Sequence, residues 1–507
     1  MSALTALARA RAAATGTAQR ITTVRHVHIA DRPLVFVPLA LAGEANAPLG
    51  CLVGPAYDEP TLLVVPQPRN RDQRFAFAES LAAVMLTYLD SFRGVAEAVP
   101  TDRGRDVRYR FVDAPQILVP NPAGIGFVRL LGRSTRFRRT DGDYPVPPAV
   151  PLLGRWMTFL ADRAEMPGSS MLVAATDALS AHWATGQSAL EDAHLGSLLG
   201  WISPPPGRTG AQAGRDAEDP AVCPPAGPAT DPGFDNDVLA PLVRAIRDAE
   251  ADGTDDGPAR AVGLRATAEL ADALHGQLEP TWRAMWDAVT LLRELPPGAR
   301  VAGRWADDRD AYSDYAVYVD GGHPQPRRDG AVAAAQRLHR LEKALTSYAV
   351  QRAYDDPLVM AEHRLTGEAF VGEVTLADAK RVDDSGKRPV LRPRIQLVTA
   401  DPVRLTPGTV LISPARPAQK ARVCFVTAAP GESKTEVVLE LSGGMGRSRT
   451  AAPGSVPEVG ERLCYTTITD GFSPPGTFPA REATPWTHGG PPVDGAVGDT
   501  GATEDWS

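Results

Sequence analysis

The hydrophobic period changes near residue 367, and that change constrains the fold more than any other feature of the chain. Before it, residues 330–355 set Ala334, Leu338, Leu341, Leu345 and Tyr348 at steps of 4, 3, 4 and 3. This is the seam of one long helix that needs a partner helix or a sheet. After it, apolar runs of strand length recur at 369–376, 395–399, 410–413, 422–427, 436–441 and 461–467, with Pro, Gly and Asp between them. So many short strands in so short a stretch predict a small closed barrel or a sandwich.

The 507 residues exceed what one core usually organises, so the chain divides into several domains. The fold class expected is α+β multidomain: an N-terminal mixed α/β sheet domain, a helical middle, and the long helix leading into the barrel. The boundaries expected are a flexible N-terminus at 1–32, an α/β domain at 33–140, a helical domain at 150–300 with a Pro/Gly/Asp-rich insertion at 203–236, the long helix at 329–356, the barrel at 362–470 and an extended tail at 471–507. Within the α/β domain, strands are expected at 34–39, 61–65, 107–112, 116–119 and 126–131, with a covering helix at 75–92. Helices are expected at 152–160, 170–185, 188–201, 238–249, 261–278 and 281–295. Residues 300–328 read as an irregular connection, in which Tyr312, Tyr315 and Tyr318 recur at a spacing open to helix or strand.

Charge is distributed unevenly. The net charge of −8 gives no global attraction to nucleic acid. Yet residues 101–140 carry nine Arg against three Asp, while residues 216–256 carry two Arg against eleven Asp and Glu. Such asymmetry marks an anion-facing surface and a solvated acidic segment. Arg outnumbers Lys, and Ala, Pro and Gly are abundant, a composition that resembles proteins of high-GC actinobacteria. Four isolated cysteines, Cys51, Cys223, Cys424 and Cys464, suit a reducing cytoplasm without disulfides, with Cys424 and Cys464 as buried thiols. No signal-peptide core and no apolar run of membrane-spanning length is evident, so a cytoplasmic protein without a membrane contact is expected.

Motifs that would announce catalysis fail on inspection. Residues 430–435, Pro-Gly-Glu-Ser-Lys-Thr, lack the glycines of a phosphate loop, since Ala428 and Ser433 stand at those positions, and a strand follows instead of a helix. Lys434 therefore belongs to a hairpin turn, and no nucleotide hydrolysis, catalytic residue, metal or cofactor is expected. His182, Glu191 and His194 straddle Gly186, so no helical ligand pair exists; Ser188 and Glu191 instead form a capping box. His26 and His28 read as a surface pair on a strand. The carboxylate pairs Asp355–Asp356 and Asp383–Asp384 read as helix-end and turn residues.

The Arg-rich stretch is the strongest candidate for a binding site. Arg129, Arg133, Arg136, Arg138 and Arg139 suit phosphates, and Phe127 and Phe137 offer stacking surfaces for single-stranded bases. A solvated strand edge is the competing reading. Arg388, Arg392 and Arg394 on the barrel form a second, weaker candidate.

The long helix, Phe370-Val-Gly-Glu-Val, residues 407–412 (Pro-Gly-Thr-Val-Leu-Ile) and residues 457–465 (Pro-Glu-Val-Gly-Glu-Arg-Leu-Cys-Tyr) resemble the stalk and inserted barrel of superfamily 1 helicases of the RNA-surveillance type. The resemblance spans about 140 residues, and the motor itself has no counterpart here. It implies a barrel that contacts nucleic acid. The functional expectation is a non-catalytic accessory protein that binds nucleic acid, or a helicase or nuclease partner through the 330–355 helix, in genome maintenance or defence against foreign DNA. A protein-interaction scaffold and an enzyme built around His182, Gln187 and Asp192 are the alternatives.

Overall fold

A computed structural model describes residues 2–100, 106–251, 257–327, 329–386, 389–428, 434–446, 448, 450–469 and 476–478. Helix α1 (Ala3–Thr15) and strand β1 (Gln19–Arg20) precede β2 (Leu34–Ala40), β3 (Pro48–Gly54) and β4 (Thr61–Val64). Helix α2 (Arg71–Asp90), the paired strands β5 (Ala96–Pro100) and β6 (Val107–Phe111), and β7 (Ile117–Val119) follow. Helices α3 (Pro122–Thr135) and α4 (Ala149–Ala164) cross over to β8 (Leu172–Ala174), which runs into α5 (Ala175–Ser180) and β9 (Trp183–Ala184). Next come α6 (Leu195–Ile202), α7 (Gly210–Glu218), the single turn α8 (Pro232–Phe234), α9 (Ala240–Ala251), α10 (Pro258–Glu294), α11 (Val301–Asp320), α12 (Ala331–Asp355) and α13 (Pro357–Thr366). The C-terminal strands are β10 (Ala369–Asp378), β11 (Val382–Asp383), β12 (Val390–Leu391), β13 (Arg394–Thr399), β14 (Val410–Ser413), β15 (Arg416–Ala428), β16 (Thr435–Ser442) and β17 (Arg462–Thr466).

The body is a five-stranded sheet, β4-β3-β2-β7-β8, antiparallel on one side of β2 and parallel on the other. Alternation along β2 sends Leu34 and Phe36 to one face and Val35, Val37 and Leu39 to the other. Helices α2, α3, α4 and α11 cover the first face, and α5, α6, α9 and α10 cover the second. Both faces of the sheet are therefore dry. The segment of α2 extended to 71–93 is, among the described residues, the one helix long and apolar enough to cross a membrane, but its Leu81, Met85 and Leu89 are buried against the sheet.

The C-terminal module is a closed barrel in the order β10-β13-β16-β15-β14-β17. Its interior is filled by alternating side chains such as Phe370, Ile395, Leu397, Val437, Leu439 and Tyr465. The α+β multidomain class and the barrel thus stand as expected. Cys424 and Cys464 are free and half-buried.

Several local expectations are overturned. Residues 126–131 are helical, not a strand: Asn121 caps the helix by accepting from the Gly124 amide, and Pro122 fills its first turn. Strand β3 is absent from the expected set; it runs so close to β4 that a Cβ at Gly50 would lie 2.4 Å from the Leu63 carbonyl oxygen. Residues 170–185 hold β8, α5 and β9 instead of one helix, and the 188–201 helix shortens to α6. The fifth sheet strand is β8, from the segment assigned to a helical domain. The two helices expected at 261–278 and 281–295 form one, α10, through Pro280. The 203–236 insertion contributes α7, whose Gly210 and Gly214 pack on Trp201 of α6. The N-terminus forms α1 and β1, the latter pairing with β9. Apart from 476–478, the expected tail lies outside the described residues, as do Arg388 and residues 430–433. Lys434 is exposed just before β16.

The largest correction is α11, where an irregular connection was expected. It carries a buried polar spine. Asp308, fully buried, accepts from Arg163 (2.5 Å), the Ser169 hydroxyl (2.7 Å) and the Ser170 amide (2.7 Å). Arg304 donates to the His26 carbonyl (2.9 Å) and to Gln351 of α12 (2.8 Å). Removing the Asp308 acceptor strands the half-buried Arg163 guanidinium and Ser169 hydroxyl and the buried Ser170 amide. Asp308→Ala is expected to lower unfolding free energy by about 3–5 kcal/mol, read as a shift of the urea midpoint; a loss below about 1 kcal/mol would contradict this role.

Candidate functional site

Helix α3 has two chemically different faces. Phe127 and Val128 join the core, Phe127 tilting against Phe36 with ring centroids 5.9 Å apart. The opposite face carries Arg129, Arg133 and Arg136, at the i, i+4, i+7 spacing that aligns side chains along one helix face. Helix α4 lies against α3 at glycine contacts. A Cβ at Gly132 would sit 2.9 Å from the Thr158 amide nitrogen, and one at Gly154 only 2.4 Å from that of Arg136. This closeness sets the arginines beside Asp162 and Glu165.

The result is a concave groove of about 640 Å³ walled by α3, α4, α11, residues 325–327, Asp329 and the start of α12. Five arginines line it, at 129, 133, 136, 327 and 337, against three carboxylates, Asp162, Glu165 and Asp329. Arg129 pairs with Glu165 at 2.9 Å. Arg337 reaches Glu165 at 2.6 Å and Asp162 at 3.0 Å. Burial pushes the Asp162 carboxyl above its ordinary value, with Arg337 pulling the other way. Arg133 is exposed and has no carboxylate within ion-pair distance among the described residues. The Nε of Arg136 is buried without a hydrogen-bond partner.

The remaining expected site residues disperse. Phe127 is 7% exposed and offers no open stacking surface. Phe137 is exposed, but the guanidiniums of Arg136 (4.6 Å) and Arg327 (5.6 Å) lie over its ring. Arg138 points to the opposite side of α3, over Phe75, while Arg139 is exposed beyond the helix. On the barrel, Arg394 faces Glu440 at 3.4 Å, and Arg392 donates to the Leu391 carbonyl. The groove does not include them. Arg327 and Arg337 escaped sequence reading, because they come from the connection after α11 and from α12, nearly two hundred residues from α3; the tyrosines of the aromatic wall were noticed, but not their place beside α3. In that wall Phe159 stacks on Tyr315 (4.1 Å, 6°), followed by Tyr318 and His323. The Tyr315 hydroxyl donates to the Arg155 carbonyl and accepts from Gln325. These rings brace the groove instead of standing free.

The histidines serve structure. His26 is buried, not at a surface, and stacks with His182 at 5.7 Å. His182 donates through Nδ1 to the Ala178 carbonyl and accepts the His26 amide at Nε2, 2.9 Å away. Both ring nitrogens are used by the neutral form. Asp356, 3.6 Å from the His26 ring, caps α13 and accepts the Thr23 amide and hydroxyl. Burial alone would raise its pKa; the surrounding donors overcome this and hold it at about 2. Ser188 and Glu191 form the expected capping box. Asp192 is saturated by Thr185, Gln187 and Arg9, and His194 caps α6. No cluster of three His, Cys, Asp or Glu side chains able to hold a metal occurs among the described residues.

The fold and groove together define an α/β body bearing a helix-and-barrel arm, with an arginine-lined cleft where the two meet. No protein family, curated protein or solved structure matches the chain.

Burial depresses the pKa of His182 from 6.5 to about 4. The unfolded chain therefore binds a proton in this window that the folded one refuses, so stability is full above pH 6.5 and falls as pH drops towards 4. Between pH 7.5 and 5 the loss expected from His182 is about 2 kcal/mol, and His28, also lowered to about 4 by burial, adds to it. Urea midpoints measured across this range check the slope; a flat profile would contradict the buried neutral histidine.

Proposed function

We propose that this chain is a non-catalytic, cytoplasmic accessory protein that holds single-stranded nucleic acid by its phosphates in the α3–α4–α12 groove. The observation that carries the reading is the convergence of five guanidiniums in one concavity, with Arg133 lacking a carboxylate partner among the described residues. Along α3, the three arginines span about 10 Å at 1.5 Å per residue. A strand at the duplex-like rise of about 3.4 Å per nucleotide sets about three phosphates over that length. The interleaved carboxylates temper affinity and disfavour wrong registers. Contacts go to the backbone, so binding is expected to be tolerant of sequence. The helix-and-barrel arm, by its likeness to a helicase insertion, favours a setting in genome maintenance or defence against foreign DNA.

A second reading rests on α12. Leu338 and Leu345, seven residues apart on one face, are each 58% exposed. A helicase or nuclease docking there would make the chain a scaffold, and Leu338→Glu with Leu345→Glu would abolish co-purification with that partner.

The first reading is tested by fluorescence anisotropy with a single-stranded oligonucleotide at low and rising salt. The double substitution Arg133→Ala and Arg136→Ala is expected to weaken binding about tenfold or more. It should also reduce the slope of log K against log salt by about 1.4, at ~0.7 per lost phosphate contact on a single strand. Absent binding at low salt, or binding indifferent to these substitutions, would sink the proposal.

A further inference from the structure

The other face of α3 closes a second cavity, of about 260 Å³, against the first turn of α2 and the start of β3. Its walls are mostly apolar, from Pro48, Phe75, Phe127, Leu130 and Leu131, with Asn46 beside them. The hydroxyls of Ser134 and Thr135 also reach it, but both donate to the Leu131 carbonyl of their own helix (3.0 and 2.6 Å). The walls therefore have little to offer a polar ligand body. Arg71, Arg74 and Arg138 also line it, each donating to a backbone carbonyl, those of Tyr144 (3.0 Å), Asn46 (3.2 Å) and Ser134 (3.0 Å), and no carboxylate lines the cavity among the described residues. Arg71 and Arg138 both lie over the Phe75 ring, at 4.8 and 5.5 Å. Arg71 meets Asp72, whose side chain is 84% exposed and hence well solvated. Such a pair is weakly held and can exchange for another anion.

This is a lopsided arrangement. An apolar chamber calls for a hydrocarbon body, and clustered guanidiniums call for one planar anion. Burial, and then the neighbouring Arg71, disfavours the charge on Arg74; an anion between them would relieve that repulsion. The size is modest, since pockets for drug-sized ligands span ~300–1,000 Å³. We propose that this cavity binds a small monocarboxylic acid with an apolar body, its hydrocarbon end against Phe127 and Leu131 and its carboxylate shared by Arg71, Arg74 and Arg138. A carboxylate presents two oxygens to guanidinium forks, a geometry that a hydroxyl or an ammonium cannot reproduce. The inference is independent of the nucleic-acid reading, because Arg129, Arg133 and Arg136 face the other way.

The test is calorimetric titration of the full chain with octanoate, 1-octanol, octylammonium and acetate. Octanoate is expected to bind saturably with one site per chain, at least about tenfold tighter than octanol, the discrimination expected from one charge-assisted contact. Octylammonium and acetate should give no saturable heat, one carrying the opposite charge and the other lacking the body. Arg71→Gln with Arg74→Gln should weaken octanoate about tenfold or more while leaving oligonucleotide affinity unchanged. Leu130→Trp, which fills the chamber, should abolish octanoate binding with the far-ultraviolet circular dichroism intact; if that variant misfolds, the arginine pair decides. Octanoate and octanol binding equally, no saturable octanoate binding, or octanoate binding indifferent to the arginine substitutions would each overturn the proposal.

Discussion

The buried carboxylate of Asp308 is the interaction on which the rest of the architecture depends. A fully buried acid is costly unless its oxygens are satisfied. Here Arg163 from α4 and the 169–170 turn satisfy it. One turn earlier on α11, Arg304 ties down the N-terminal segment through the His26 carbonyl and reaches Gln351 and Tyr348 on α12. Close packing at Gly168 keeps this junction specific: its φ is +86°, and a Cβ there would lie 2.7 Å from Arg304 Cδ. Through one helix, then, the end of α4, the sheet-side turn and the long helix are held in a single register.

That register builds the groove. Arg129, Arg133 and Arg136 are fixed by the glycine contacts between α3 and α4, whereas Arg337 belongs to α12. The arm is anchored to the body twice more, by Arg300–Asp355 (2.7 Å) and by Asp356 gripping Thr23. The adjacent acids Asp355 and Asp356 thus act at a helix end, each with its own partner. Movement of the arm would carry Arg337 away from Asp162 and Glu165 and change how many guanidiniums the cleft offers. Helix α3 stands between two arginine-lined concavities of different character, one polar and open, the other mostly apolar and small.

How much of this could be read from the sequence follows from how local each signal is. The barrel was legible because its strands alternate with period two and are punctuated by Pro and Gly. Helix α12 was legible because its apolar steps persist over several turns. Helix α3 was misread because Gly126-Phe-Val-Arg-Leu-Leu looks like a strand when its cap is ignored; Asn121 followed by Pro122 was the overlooked signal. Helix α11 was missed because polar residues interrupt its buried face, between Trp305, Tyr312, Ala316 and Val319. Arg304, Asp308 and Ser313 occupy core positions where an apolar period was sought. The groove itself was only half legible. The arginines of α3 stood out as a charge cluster, but a helical reading was needed to separate Arg136 from Arg138. Nothing local announces that Arg327 and Arg337 join them.

Crosslinking addresses the central claim directly. A single-stranded oligonucleotide carrying iododeoxyuridine can be irradiated with the full chain and the attached peptides mapped by mass spectrometry. The account predicts adducts confined to peptides from α3, α4, the 315–327 region and the start of α12. Adducts restricted to the barrel strands, or spread evenly over the surface, would contradict it.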